Sequence, residues 1–529
     1  MIHLNNIAVS PDGGDAAALK EALRRLKLRR EDLHSLHIAR KSVDARDKGD
    51  VRLVYAVDAH LKQDEAAYLQ RIQPKDAALT EEPPRLSIAP KAHHPRPVVV
   101  GLGPCGLFAA LYLARAGLRP LVLERGQPVA ERAVTVNRLF RQGQLDPDSN
   151  IQFGEGGAGT FSDGKLTTGT KSPLIREVLH TLHEHGGPEE ILYLQRPHLG
   201  TDKLPKIVSS IRREIERLGG EVRFGAKLTC LQVEKSQVRA IRAAWEGREE
   251  EVPCDRLILA LGHSARDTQR MLHAQGLQMI PKPLSIGLRL EQKQAVIDRA
   301  QYGRFARHPG LPAAEYHLNH RCLGGRGGYT FCMCPGGRVV NASSEPGGLC
   351  VNGMSPFARD GENANAAILV DVRPEDFGGD GALAGYAFQR QWEEQAFRLG
   401  GADWRVPAQL AEDFLQDRPS NTLRDVQPTI QPGIVLTDLR ETLPSFAVDA
   451  LKETLRAFGR KLQGFLSGGA LLTGVETRSS SPIRVPRDES LMSSIGGVWA
   501  AGEGAGMAGG IMSAAVDGLK AAMALHQSL

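Results

Sequence analysis

The sequence predicts an α/β protein: a parallel-sheet domain, a small ferredoxin-like α+β unit ahead of it, and a further domain inserted into it. Three observations predict this. Residues 1–90 read β-α-β-β-α-β, a strand, glycine turn and helix begin at Pro97, and two later apolar runs, near Leu257 and Val498, each end in glycine. A length of 529 residues suits two to four domains. Glycine supplies 57 of them, above the usual proportion of about 7%, with no Gly-X-Y period. That excess implies places where backbone comes close to another molecule.

The first unit runs from an alternating stretch, Ile2 to Val9, into a helix over 15–28 with Leu19, Leu23 and Leu26 at helical spacing. Two strands follow, 36–45 and 51–61, with Gly49 in the turn between them, then a helix over 65–72 and a last strand near 86–89. Pro83, Pro84, Pro90, Pro95 and Pro97 form a stiff extended linker. The expected domains are therefore 1–90, a parallel-sheet domain in two parts, 96–280 and 429–529, and an inserted substrate or cap domain over 281–428 with one long helix, 383–399.

Pro97-Val98-Val99-Val100 reads as a buried strand and feeds Gly101-Leu102-Gly103-Pro104-Cys105-Gly106, after which a helix starts. In that context the G-x-G-x-x-G spacing is a dinucleotide-binding, Rossmann-like turn. Gly101 makes the tight turn, Gly103 lets backbone approach a pyrophosphate, and Gly106 lets helix pack on strand. The positive end of the helix dipole faces the phosphates. The next strand ends at Glu124-Arg125, about 20 residues on, where a carboxylate can accept ribose hydroxyls.

Two later motifs narrow the ligand. Asp255 to Gly262 is a strand ending in glycine, and Ile495 to Gly504 is another, followed by Gly509-Gly510-Ile511 at the start of a helix. With these the sequence resembles FAD-binding proteins of the glutathione-reductase-like superfold. The resemblance implies that the acidic residue after Gly502, here Glu503 where Asp is commoner, meets the ribityl chain, and that the helix opening at Gly510-Ile511 points at the flavin pyrimidine. It also implies that the glycine-rich loop 154–165, with Gly157, Ser162, Gly164 and Lys165, wraps the cofactor. That loop is a near miss to a phosphate-binding P-loop, because Leu166 stands where Ser or Thr would hold magnesium.

Several other features are read more plainly. Arg478 and Arg484, within 476–484, offer hydroxyl and guanidinium chemistry for an anionic substrate, or form a solvated loop. His263 is a candidate proton donor, or a structural histidine. Cys332-Met333-Cys334 puts two thiols on one strand face and reads as core, not as a redox or metal pair; the Cys-x-x-Cys and Cys-x4-Cys spacings of flavin disulfide reductases are absent. His180, His183 and His185 end a helix, and no metal site is assigned.

Over nearly its whole length the chain resembles a bacterial family of uncharacterised FAD-dependent dehydrogenases with an N-terminal plait domain. The matching stretches are 40–46, 262–268, 330–337, 352–355 and 501–510. The resemblance implies FAD and an oxidoreductase exchanging a hydride at flavin N5 with a small substrate, with NAD(P)H, if it is the donor, binding transiently. Two alternatives stay open: a nucleic-acid-associated flavoprotein using the basic run Lys20 to Arg30, or FAD binding without net redox change. Net charge is only +5, which gives no case for nucleic acid or a membrane surface. Seven irregularly spaced cysteines and an N-terminus without a signal-peptide pattern lead to an expected cytoplasmic location.

Overall fold

A computed structural model describes residues 1–82 and 84–529. Pro83 of the proline cluster lies outside the described residues. Residues 1–79 carry strands Ile2–Val9, Leu33–Asp44, Arg52–Leu61 and Ala77–Leu79 and helices Gly14–Leu26 and Glu65–Ile72. The four strands form one sheet with Ile2–Val9 between Arg52–Leu61 and Ala77–Leu79, and Leu33–Asp44 on the outer edge. Ile2, Leu4, Ile7, Val57 and Ala59 are buried against Ala18, Ala22 and Leu26 of the first helix. The last strand thus falls at 77–79, not at 86–89 as the sequence suggests. Leu86 and Ile88 instead pack on the core of the following domain, and Arg85 is clamped by Glu177 and Glu184.

The parallel sheet has five strands in the order Val498–Ala500, Leu257–Leu259, Val98–Val100, Leu121–Glu124 and Glu221–Phe224. Its three central strands are buried on both faces, as continuous Val/Ile/Leu runs require. Helices Pro104–Arg115 and Ile511–Gln527 cross on one side of it. Their contact is close because residue 518 is glycine: a β-carbon there would lie 2.1 Å from the Cys105 carbonyl oxygen. A three-stranded antiparallel layer, Lys227–Glu234, Gln237–Trp245 and Arg248–Pro253, packs on the other side.

The inserted domain centres on a seven-stranded sheet: Asn319–Arg321, Gly327–Cys334, Asn363–Val372, Leu284–Lys293, Leu471–Glu476, Val406–Leu410 and Ile434–Leu436. Leu471–Glu476 is buried along its length and pairs with both Leu284–Lys293 and Val406–Leu410. Helix Ser445–Lys461 packs into the same core. The expected boundary at 428 therefore cuts through a sheet, and the inserted unit continues to about residue 479. The N-terminal sheet docks by its edge: the Lys41 amide donates to the Tyr193 carbonyl at 2.8 Å, the Gln195 amide to the Lys41 carbonyl at 2.9 Å, and His308 meets Asp12 at 2.8 Å. No helix among the described residues is long and apolar enough to cross a membrane.

Candidate functional site

The C-terminal ends of the parallel strands open onto a cleft of about 1450 Å³, solvent mouth included, the side on which open α/β sheets take their ligands. Gly101, Gly103, Pro104 and Cys105 line it, as do Gly510 and Ile511, so two helix N-termini meet the same space. The three motif glycines do different work. Gly106 cannot carry a side chain, because its β-carbon would fall 1.8 Å from the Gly101 oxygen; Gly101, at φ +99°, would strike the Ala260 oxygen at 2.3 Å. Gly103 is extended, at φ −72° and ψ −177°, and its β-carbon would meet nothing nearer than Gly157 Cα at 3.7 Å. The fold alone does not demand glycine at 103, whereas a ligand pressed on that backbone does.

Glu124 is buried at the cleft wall and accepts three backbone N–H groups: Leu102 at 2.8 Å, and Gly126 and Gly154 at 2.9 Å. It thus ties the glycine turn to the 154–165 loop. A carboxylate has about four acceptor positions, so about one remains for a ligand hydroxyl rather than enough for both. Arg125 also lines the cleft but is held by Asp148 and Asp267 and lies over the Phe153 ring, 4.2 Å from its centroid. Gly157, Ser162, Gly164 and Lys165 complete this wall, with the Ser162 hydroxyl donating to the Gly159 carbonyl at 2.7 Å. Lys165 pairs with Asp163, which also holds Arg359. The two cations keep the buried Asp163 carboxyl well below its usual range despite its burial.

Gly262, His263 and Glu503 lie on the same cleft. Burial pushes His263 down to about 3, with Arg478 and Arg266 adding to the effect. The imidazole is therefore neutral at neutral pH, and the sequence candidate for a proton donor does not carry the extra proton. Its Nδ1 lies 3.0 Å from Ser264 Oγ and its Nε2 3.9 Å from Glu503 Oε2. Burial pushes Glu503 up to about 7, with Lys282 opposing. Gly502 does not line the cleft; its amide donates to Asp517 at 2.7 Å and fixes the turn that presents Glu503.

The two candidate arginines of 476–484 are corrected. Arg478 reaches the cleft wall, but its guanidinium is committed to Glu393 at 2.8 and 3.0 Å and to the hydroxyls of Ser264 and Ser344. Arg266 joins the same buried cluster through Glu393, Glu345 and Gln389. Arg484 is exposed, on a short strand paired with Ile280, and does not line the cleft. Of the histidines near 180, each has a partner nearby: Arg176 donates to His180 at 3.2 Å, and His183 and His185 meet the Gly187 carbonyl and Ser210. In the basic run, Arg24 and Arg25 pair with Glu21, and Arg29 with Glu31.

Phe331, Cys332 and Asn352 of the inserted domain also line the cleft; the sequence reading placed them in family-matching stretches but gave them no place at the site. A second pocket, of about 780 Å³ with its open solvent included, shares Lys165, Phe331 and Cys332 with the first; Arg196, His317 and Arg359 are among its other walls. The Cys332-Met333-Cys334 motif was visible, but strand alternation placed both thiols in a core. Cys332 is half-buried instead, at φ +42° where the strand loses register with its neighbour.

Three family models match in succession. Residues 1–60 match a domain of unknown function, 95–297 a pyridine nucleotide-disulphide oxidoreductase, and 283–479 an FAD-dependent protein, C-terminal domain-like. An uncharacterized protein of Clostridium beijerinckii is 45% identical over 525 residues, 98% of both chains. The chain belongs to this FAD-dependent oxidoreductase family. Solved structures similar to this family member include aklavinone-11 hydroxylase with FAD and aklavinone (16% identity, 82% of this chain and 63% of that one, TM-score 0.34). Others are the 3-ketosteroid-delta4-(5alpha)-dehydrogenase of Rhodococcus jostii RHA1 (13%, 83% and 99%, 0.34) and the FAD-complexed glycerol-3-phosphate dehydrogenase of Bacillus halodurans (10%, 82% and 64%, 0.36). At that similarity neither their substrates nor their reactions carry over to this FAD-dependent protein.

Proposed function

We propose that the cleft holds FAD and that the protein exchanges a hydride between flavin N5 and a small substrate approaching from the inserted domain. The observation that carries this reading is the shared cleft, which Gly103, Glu124 and Gly510 line together with Phe331, Cys332 and Asn352 of the inserted domain. Gly103, Pro104, Cys105 and the helix end behind them would take the pyrophosphate, with Glu124 at the ribose. Gly157, Ser162, Gly164, Lys165 and Gly262 would flank the cofactor, and Glu503, Gly510 and Ile511 would meet its ribityl chain and pyrimidine. When bound, FAD supplies a two-electron centre at its N5.

The protein's own groups supply binding and proton handling. Lys165 and Arg359 share one carboxylate, Asp163, which leaves a surplus positive charge beside the wall between the cavities and favours an anionic substrate or leaving group. Burial raises Glu503 to about 7, so it can hold or release a proton at Oε2, with the neutral His263 ring 3.9 Å away as a relay. Anaerobic mixing of the yellow protein with NADH or NADPH tests the reading. Rapid bleaching makes reduced nicotinamide the hydride donor. Bleaching by dithionite alone assigns reduction to another substrate, and a protein that takes up no FAD contradicts the proposal.

A further inference from the structure

The second pocket has a cationic wall that is built into the fold. The Arg359 side chain is only 7% exposed, yet it lines this pocket. Its Nε donates to Asp163 Oδ1 at 3.0 Å and its Nη2 to Asp163 Oδ2. Its Nη1 has no hydrogen-bond partner among the described residues and is not sealed from solvent. The other cation on Asp163 is Lys165, whose ammonium reaches no further acceptor among the described residues. Two cations thus face one carboxylate, and one positive charge is left over at the pocket wall.

The backbone fixes this arrangement. Arg359 sits at φ +50°, a conformation that residues other than glycine rarely adopt and that gathers at ligand sites where the surroundings enforce it. Here they do. Gly336 lies so close that a β-carbon there would overlap the Arg359 carbonyl, and the Arg359 amide donates to the Pro356 carbonyl at 3.1 Å. The Lys165 side is tied in as well: the Leu166 amide donates to the Pro197 carbonyl at 2.9 Å and the Leu199 amide to the Gly164 carbonyl at 3.0 Å. The remaining wall is apolar in part, through Pro197, Phe331 and Met333. Phe331 is 37% exposed, which leaves aromatic surface for a ligand to cover.

We propose that this pocket seats the substrate of the flavin site and that the substrate is a monocarboxylate with an apolar body. Its carboxylate accepts from Arg359 Nη1 and Lys165, and its body covers Phe331. Lys165, Phe331 and Cys332 line both spaces, so a ligand seated here borders the first cleft. The proposal rests on the flavin reading for its hydride exchange, whereas the carboxylate seat stands without it. One surplus positive charge matches one carboxylate, and a guanidinium edge is the donor such a group takes best. A phosphate dianion is matched less well, because its sites are typically built from backbone amides of glycine turns or helix starts. This pocket has neither a glycine nor a helix start among its described walls, and Glu315 is one of them. Arg196 adds no free charge, since it pairs with Glu315 at 2.7 Å.

The test is calorimetric titration of the full-length, FAD-loaded protein with sodium hexanoate, hexanamide and inorganic phosphate. Hexanoate should bind about once per chain, and hexanamide and phosphate at least about 10-fold more weakly, because the amide lacks the charge and phosphate exceeds it. Arg359→Lys keeps a cation on Asp163 but loses the free guanidinium edge, so it should bind hexanoate about 10-fold more weakly at an unchanged melting temperature. Phe331→Ala removes apolar contact at an exposed position and should weaken hexanoate about 5-fold. Equal binding of hexanoate and hexanamide, tightest binding by phosphate, no binding of hexanoate, or wild-type hexanoate affinity in Arg359→Lys would each overturn the proposal. If Arg359→Lys fails to fold, the wild-type ligand series and Phe331→Ala still decide. A colourless protein that binds hexanoate counts only against FAD binding, whereas a yellow protein that binds none counts only against the carboxylate seat.

Discussion

Glu124 accepts three backbone amides, so its first role is to shape the cleft. Glu124→Ala strands those amides in a buried site and should lower unfolding free energy by about 2–4 kcal/mol in denaturant titration, as well as weakening FAD binding. Glu503 predicts a pH signature. Its carboxyl ordinarily titrates near 4.5 and is raised to about 7 in the fold, so the folded state binds the extra proton between those values. Stability of the FAD-free protein should therefore fall as pH rises from about 4.5 through about 7. Glu503→Gln should flatten that slope relative to wild type, measured by urea unfolding across the range. Residue type and spacing made both glutamates legible. The fate of Arg478 was not, because Glu393, which consumes it, stands 85 residues earlier and arrives only through folding.

Among elements, the junction of Val98–Val100 with helix Pro104–Arg115 was the most legible, because glycine spacing and an uninterrupted apolar run specify it locally. Gly106→Ala should abolish that packing and with it FAD retention, read as loss of yellow colour and reduced soluble yield, since the new methyl would overlap the Gly101 carbonyl. Helix Ala384–Leu399 was legible from its spacing, but its purpose was not. It delivers Glu393 between Arg266 and Arg478, joining the start of helix Arg266–Ala274 to the end of the inserted domain. The arginines hold the Glu393 carboxyl well below its usual range, so its contribution is present above about pH 4.5 and is lost as pH falls toward the lowered value. Glu393→Gln should cost about 3–5 kcal/mol at neutral pH, because it leaves two buried guanidinium groups with only the Glu345 carboxylate between them. The bulge at Cys332 was hidden, since period-2 reasoning assumes an unbroken strand.

At the scale of the whole molecule, the sequence shows which segments bind a dinucleotide better than it shows where units end. The strand at 77–79 has three residues, partly or fully exposed, and leaves almost no apolar signal, whereas Leu86 and Ile88 imitate a strand while serving another core. The 428 boundary failed because Leu471–Glu476 joins its sheet by non-local pairing. What unites the molecule is the cleft, where strand ends, two helix N-termini and the bulged strand of the inserted domain converge. The most direct test is equilibrium titration of FAD against the FAD-free wild type and Gly103→Ala. Residue 103 has an extended conformation, and a β-carbon there would meet nothing nearer than Gly157 Cα at 3.7 Å, so the alanine variant should keep its melting temperature. With FAD seated across this turn, wild type binds about one FAD per chain and the variant binds at least about 100-fold more weakly. Equal affinity in the two proteins would contradict this placement of the cofactor.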